Sequence, residues 1–145
     1  MIVERLCILL MVALVGDVSI GVFSRYVLQA TVVWYDEVAR LCFVWIVFLG
    51  AAVGVRRGMH FRMRLVVERL APSAQRAADR FATLAVLALG VLLIVGGIGI
   101  LPVARGQITD ALGVSMIWFY AALPAGGACI VAYGVPHLRA RARPG

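Results

Sequence analysis

The chain has 145 residues, 63% of them hydrophobic and 14% charged, with a mean hydropathy of +1.01. Soluble domains carry about 25% charged residues, and a protein this small exposes too much surface for so few polar side chains to cover, which excludes a soluble enzyme, a disordered tail and a secreted disulfide scaffold. The net charge of +7 rests on fourteen arginines, no lysine and seven acids, but nothing beside them stacks on bases or reads a groove, so nucleic acid is not a partner.

What remains is an all-α integral membrane protein, one domain over residues 1–145 whose solvent is the lipid bilayer. Its apolar runs are continuous rather than alternating, so they are helices and not the strands of a barrel. A bilayer crossing takes about 20 helical residues. The first span is residues 6–23. Glu4-Arg5 before it is a poor signal-peptide start, no A-x-A site follows, and Asp17 interrupts the run, so the span is retained. Asp17 is the one acid well inside a span. An aspartate there costs about 2.5–3.5 kcal/mol on insertion scales and is a functional candidate by default. It is a proton or cation site, a bond to a partner helix, or a carboxylate near enough to the outer face to reach water.

The second span is residues 38–55. Asp36-Glu37 precede it, and Arg40 follows at the i+4 and i+3 positions, which predicts an ion pair between one of the carboxylates and the guanidinium. Acids in a first turn also suit the helix dipole. Gly50-x-x-x-Gly54 allows another helix to come close. The connection that follows, 56–80, is the longest. Met63, Val66, Val67 and Leu70 share one helical face there, with Arg62, Arg64, Glu68 and Arg69 around the rest. This predicts a short interfacial amphipathic helix over about 61–71, its arginines near anionic lipid. Phe61 and Leu65 fall on its charged side, and Pro72 starts the next helix.

The third span, 81–103, carries Gly90, Gly96, Gly97 and Gly99. The fourth, 116–135, carries Ala122-x-x-x-Gly126. Pro102 and Pro124 are candidate ends or kinks. His60 and His137 lie at the ends of spans two and four, where an interfacial imidazole is the simpler reading than an axial haem ligand. Cys7, Cys42 and Cys129 have neither metal-ligand nor disulfide spacing and read as small buried hydrophobes. There is no nucleotide loop, HExxH or nucleophile elbow, so neither an enzyme nor a metal or cofactor site is expected.

The arginines orient the spans. Arg5, the seven between Arg56 and Arg80, and Arg139, Arg141 and Arg143 fall on one side; Arg25, Arg40 and Arg105 fall on the other. The positive-inside rule places the eleven, and both termini, in the cytoplasm. Trp34 and Tyr35, with Trp118 and Tyr120, then form an aromatic belt at the outer face.

Residues 23–65 are more specific. Arg25-Tyr26 closes the first span; Trp34 and Asp36-Glu37 open the second; Arg40, Phe43-Val44-Trp45, Gly50-Ala51-Ala52 and Arg57-Gly58-x-His60 follow in order. This stretch resembles the small membrane subunit, DctQ type, of tripartite ATP-independent periplasmic (TRAP) transporters. Ala111-Leu112-Gly113-Val114 and Trp118-x-Tyr120 leading to Leu123-Pro124-Ala125-Gly126 resemble its last span, so the likeness covers nearly the whole chain. Arg64 departs from it, standing where family members often carry an acid. The resemblance implies a four-helix permease subunit of the bacterial inner membrane. It would brace a large, usually sodium-coupled subunit that imports a solute, often a carboxylate, delivered by a periplasmic binding protein. It implies partner or scaffold contacts at Arg25, Trp34, Asp36, Glu37, Arg40, Trp45, Gly50 and Gly54, and cytoplasmic anchors at Arg56, Arg57, His60, Arg62, Arg64 and Arg69. Two rivals stand beside it: a four-helix proton-coupled exporter working through Asp17, and a haem- or quinone-binding membrane anchor.

Overall fold

A computed structural model describes residues 2–29, 34–57 and 72–142. The proposed interfacial helix over 61–71 lies outside them, as do His60, Arg62, Arg64 and Arg69. The described residues form α1 (Ile2–Tyr26), α2 (Trp34–Arg56), α3 (Pro72–Ala104), the single turn α4 (Ile117–Tyr120) and α5 (Ala122–Ala142). Four stretches are long and apolar enough to cross a membrane: Ile2–Tyr26, Trp34–Arg56, Ala77–Ala104 and Ile117–Pro136. Four spans were read from hydropathy; the first three run one to four residues past their expected bounds at each end, and the fourth is shifted by one residue. The first turns of α3 run ahead of its apolar stretch, starting at Pro72, a residue suited to a helix N-terminus because it needs no N–H partner there.

The fourth span is interrupted. Ala121 separates α4 from α5. Pro124 lies one turn further on, with no N–H to offer the carbonyl of Tyr120 and a ring that crowds it. The break expected at Pro124 therefore falls upstream of it. α3 runs only two residues past Pro102.

The spans stand in an open row. α1 packs on α2, α2 on α5, and α5 on α3; α4 rests against α2, α3 and α5. The helices at the two ends of the row, α1 and α3, are not a packed pair among the described residues. The core is correspondingly small: Ala52, Val55 and Ile130, with Val86, Leu93, Cys129 and Tyr133 around them. Large side chains such as Leu9, Val12, Leu92 and Val95 point outward, about two-thirds exposed, as suits a surface whose solvent is lipid.

Glycine fixes the three seams. Without water between helices, close backbone approach and the contacts it brings hold them together. A Cβ on Gly127 would lie 2.6 Å from the carbonyl oxygen of Gly90, and one on Gly97 2.5 Å from Pro124 Cδ, so α3 and α5 touch backbone to backbone. A Cβ on Gly126 would meet Phe48 Cβ at 2.5 Å, closing α2 on α5. Gly21 lies under the Tyr35 ring, closing α1 on α2.

Candidate functional site

The most ordered polar cluster is at the Glu37 end of the molecule, where α2 meets the loop before α4. That loop is a compact turn. Ile108 and Ser115 form an antiparallel bridge, and Gly113 supplies a φ of 65°, a conformation that glycine adopts without strain. The Thr109 N–H donates to the Val114 carbonyl at 2.9 Å, and the Gly113 N–H to the Thr109 carbonyl at 3.0 Å. Thr109 is buried, and its hydroxyl oxygen accepts the Val114 N–H at 3.1 Å.

Glu37 grips this turn. One carboxylate oxygen accepts the Ala111 N–H at 2.9 Å, and the other accepts the Leu112 N–H at 2.9 Å. Two turns further along α2, the Trp45 indole N–H donates to the Trp118 carbonyl at 3.0 Å. Between them the Arg40 guanidinium lies over the Phe119 ring, 5.6 Å from its centroid, within cation–π range. Glu37, Arg40 and Trp45 thus clamp α4 and its loop onto α2.

This corrects one expectation. Neither Asp36 nor Glu37 forms an ion pair with Arg40 among the described residues. A pair exposed to solvent gains little, whereas two backbone N–H groups in a turn need acceptors and a carboxylate is a strong one. The clustered residues separate accordingly: Glu37, Arg40 and Trp45 engage the chain's own last span, while Arg25, Trp34 and Asp36 are exposed. Asp36 makes no hydrogen bond or ion pair among the described residues. Arg25 closes the last turn of α1, where a cation suits the helix dipole.

At the opposite end, Glu4 of α1 accepts the Arg57 Nε–H at 3.0 Å and lies 2.9 Å from Arg57 Nη2. Arg56 Nη1 is 3.6 Å from the other Glu4 oxygen, and the Arg56 guanidinium sits over Tyr133, 5.7 Å from the ring centroid. The two arginines read as interface anchors thereby join α1, α2 and α5. Glu4 went unassigned by sequence reasoning, although it is the acid on the arginine-rich side nearest to the first span. Thr109, Phe119 and Tyr133 were missed too, since nothing local marks them.

Asp17 is buried on the stripe Asp17, Gly21 and Ser24 that α1 turns toward α2. Its Oδ2 has no hydrogen-bond partner among the described residues. It lies in the seam between α1 and α2. No described residue lies within 4 Å of where a Cβ on Gly50 or Gly54 would stand.

Comparison with known proteins adds a family. The model of the "Tripartite ATP-independent periplasmic transporters, DctQ component" family matches residues 8–143. The chain is 27% identical over 133 residues to the sialic acid TRAP transporter small permease protein SiaQ of Vibrio cholerae, covering 88% of this chain and 74% of that one. It is 30% identical over 115 residues to the sialic acid TRAP transporter permease protein SiaT of Haemophilus influenzae, covering 79% of this chain and 19% of that much longer one. A putative TRAP transporter small permease protein of Haemophilus influenzae is 29% identical over 94 residues, 65% of this chain and 58% of the relative.

Proposed function

The chain belongs to the DctQ-component family of TRAP transporters, and from that premise we propose that it braces a large, ion-coupled permease and conducts nothing itself. It is a multi-pass subunit of the inner membrane. The large permease carries the solute, a periplasmic binding protein delivers it, and sodium drives it. The solute is a carboxylate, the class to which the sialic acid named for two of the relatives belongs. This chain has no catalytic, metal or cofactor role. Both termini face the cytoplasm, so the turn held by Glu37 lies at the periplasmic surface, in reach of a docking binding protein. Arg56 and Arg57, with His60, Arg62, Arg64 and Arg69, hold the cytoplasmic interface.

The observation that carries this reading is the open row. A carrier gathers its ligands at mid-membrane, on broken helices facing a cavity. Here the intramembrane acid Asp17 faces a neighbouring helix in a seam, and the break at Ala121 serves a turn clamped to α2. The polar groups are used to fasten helices at their ends.

The test is reconstitution. Uptake into vesicles should require this chain, the large permease and the binding protein together, with an inward sodium gradient. Uptake without this chain would remove its bracing role. Transport by this chain alone, abolished in Asp17→Asn, would establish the exporter instead. Arg40→Ala should weaken assembly or docking and leave the sodium dependence of uptake unchanged; a shift in sodium dependence alone would contradict the assignment.

A further inference from the structure

At the Glu4 end of the row, two guanidinium groups are held in place with only part of their hydrogen-bonding capacity used. Arg56 ends both α2 and its apolar stretch Trp34–Arg56, and Arg57 follows it. Their side chains therefore stand where hydrocarbon gives way to lipid headgroups. Arg57 directs Nε and Nη2 at one Glu4 oxygen. Arg56 is held differently: it sits over the Tyr133 ring of α5 and 3.6 Å from the other Glu4 oxygen. A ring face and so long a contact fix the position of the group without consuming its N–H donors. The Arg56 guanidinium makes no hydrogen bond among the described residues, and its side chain is 41% exposed. One carboxylate between two guanidinium groups also leaves positive charge over.

We infer that Arg56 and Arg57 hold the phosphate of one anionic phospholipid in the adjoining leaflet. The inference needs the row to span a bilayer and is independent of the bracing role. A guanidinium presents its N–H donors as a planar fork that matches two phosphate oxygens. One already positioned by Tyr133 and Glu4 gives up little further freedom when it binds. The surplus positive charge favours a lipid whose phosphate is not balanced by a cation of its own. The height in the bilayer favours a lipid over a soluble anion, since its acyl chains lie along the apolar surface while its phosphate meets the arginines. Arg5 and Arg80 are exposed on the same arginine-rich side, but among the described residues neither a ring nor an acid positions them. They add to a general attraction for an anionic surface, whereas Arg56, Arg57, Glu4 and Tyr133 gather three helices into a built site.

The test uses the co-purified membrane subunits in mild detergent, stripped of lipid and titrated with phosphatidylglycerol or phosphatidylcholine. Lipid retained on this chain is counted by native mass spectrometry. Phosphatidylglycerol should be retained in preference to phosphatidylcholine, and excess inorganic phosphate should not displace it. Arg56→Gln should weaken its apparent affinity about ten-fold. Arg56→Lys, which keeps the charge and loses the fork, should weaken it as well. Arg80→Gln should leave it unchanged. Equal retention of the two lipids, or displacement by inorganic phosphate, would overturn the assignment. Equal losses in Arg56→Gln and Arg80→Gln, or an undiminished affinity in Arg56→Lys, would overturn it too, because a diffuse attraction depends on charge alone. So would an assembled pair that retains no phosphatidylglycerol on this chain, since the large permease would then cover the arginines. Failure of the unsubstituted subunits to co-purify would instead remove the bracing role, and the same titration on this chain alone would decide the lipid site.

Discussion

The seam between α3 and α5 and the free side of α2 use the same residue to opposite ends. In the seam, Gly127 lies against the Gly90 carbonyl and Gly97 against Pro124. On the free side, Gly50 and Gly54 meet nothing. Glycine in a helix interior is costly wherever it appears. In the seam that cost is offset within the chain, because two backbones come into contact. On α2 no described residue comes close enough to offset it, as is also true of Gly16 on α1 and of Gly96 and Gly99 on α3.

The largest effect is expected where the backbones touch. Gly127→Ala places a methyl 2.6 Å from the Gly90 carbonyl oxygen and 3.0 Å from Leu93 Cβ and Ile94 Cγ1. A carbonyl oxygen in a helix cannot swing aside, so the two helices must separate. Overpacking of this kind costs about 1–3 kcal/mol, read as an earlier unfolding midpoint in mixed detergent micelles. Wild-type stability in this variant would mean that the seam is not closed.

Next comes the fastener between α2 and α4. Trp45→Phe keeps an aromatic ring and removes the hydrogen bond to the Trp118 carbonyl. The expected loss is about 0.5–1.5 kcal/mol, with faster amide exchange around Ala121. The third prediction reverses sign. Gly50→Ala should stabilise the isolated subunit by roughly 0.5–1 kcal/mol, because alanine gives up less backbone freedom and no neighbour resists it. If Gly50→Ala destabilises the lone subunit, the contrast between the two regions collapses.

Much of this frame is written locally in the chain. Hydrophobic runs gave the four spans, whereas Gly50-x-x-x-Gly54, read as a place for close helix approach, meets no other described residue. Which glycines close against a neighbour could not be read, because that depends on the order of helices in the row. Glu37 shows the limit most clearly. Its spacing from Arg40 pointed to an ion pair, yet its carboxylate reaches backbone N–H groups 74 and 75 residues away. A backbone donor carries no residue identity, so no pattern in the sequence announces it. The partnership of Glu4 with Arg57, 53 residues apart, is hidden for a related reason: on a side rich in arginine, one acid has many possible partners. Pro124 was legible as a disturbance, but the break it causes falls upstream, at the carbonyl its ring cannot serve.

The smallest effect belongs to Glu4. Glu4 holds α1 to the end of α2 through two arginines that would otherwise repel each other. Both guanidinium groups are exposed, at 58% for Arg57 and 41% for Arg56, so solvent and salt screen the attraction. Glu4→Gln should therefore lower the unfolding midpoint slightly at low ionic strength and not at all at about 1 M salt, where the Debye length shrinks to about 3 Å. Arg57→Gln leaves the Glu4–Arg56 contact in place and should lower the midpoint less, and the double variant should be no worse than Glu4→Gln alone. A loss that persists in high salt would mean that Glu4 acts through packing. An absent loss at every salt concentration would mean that α1 is held by its packing along α2, the Gly21–Tyr35 contact included. In that case this edge of the row is positioned by shape, and charge at its Glu4 end contributes nothing to holding it.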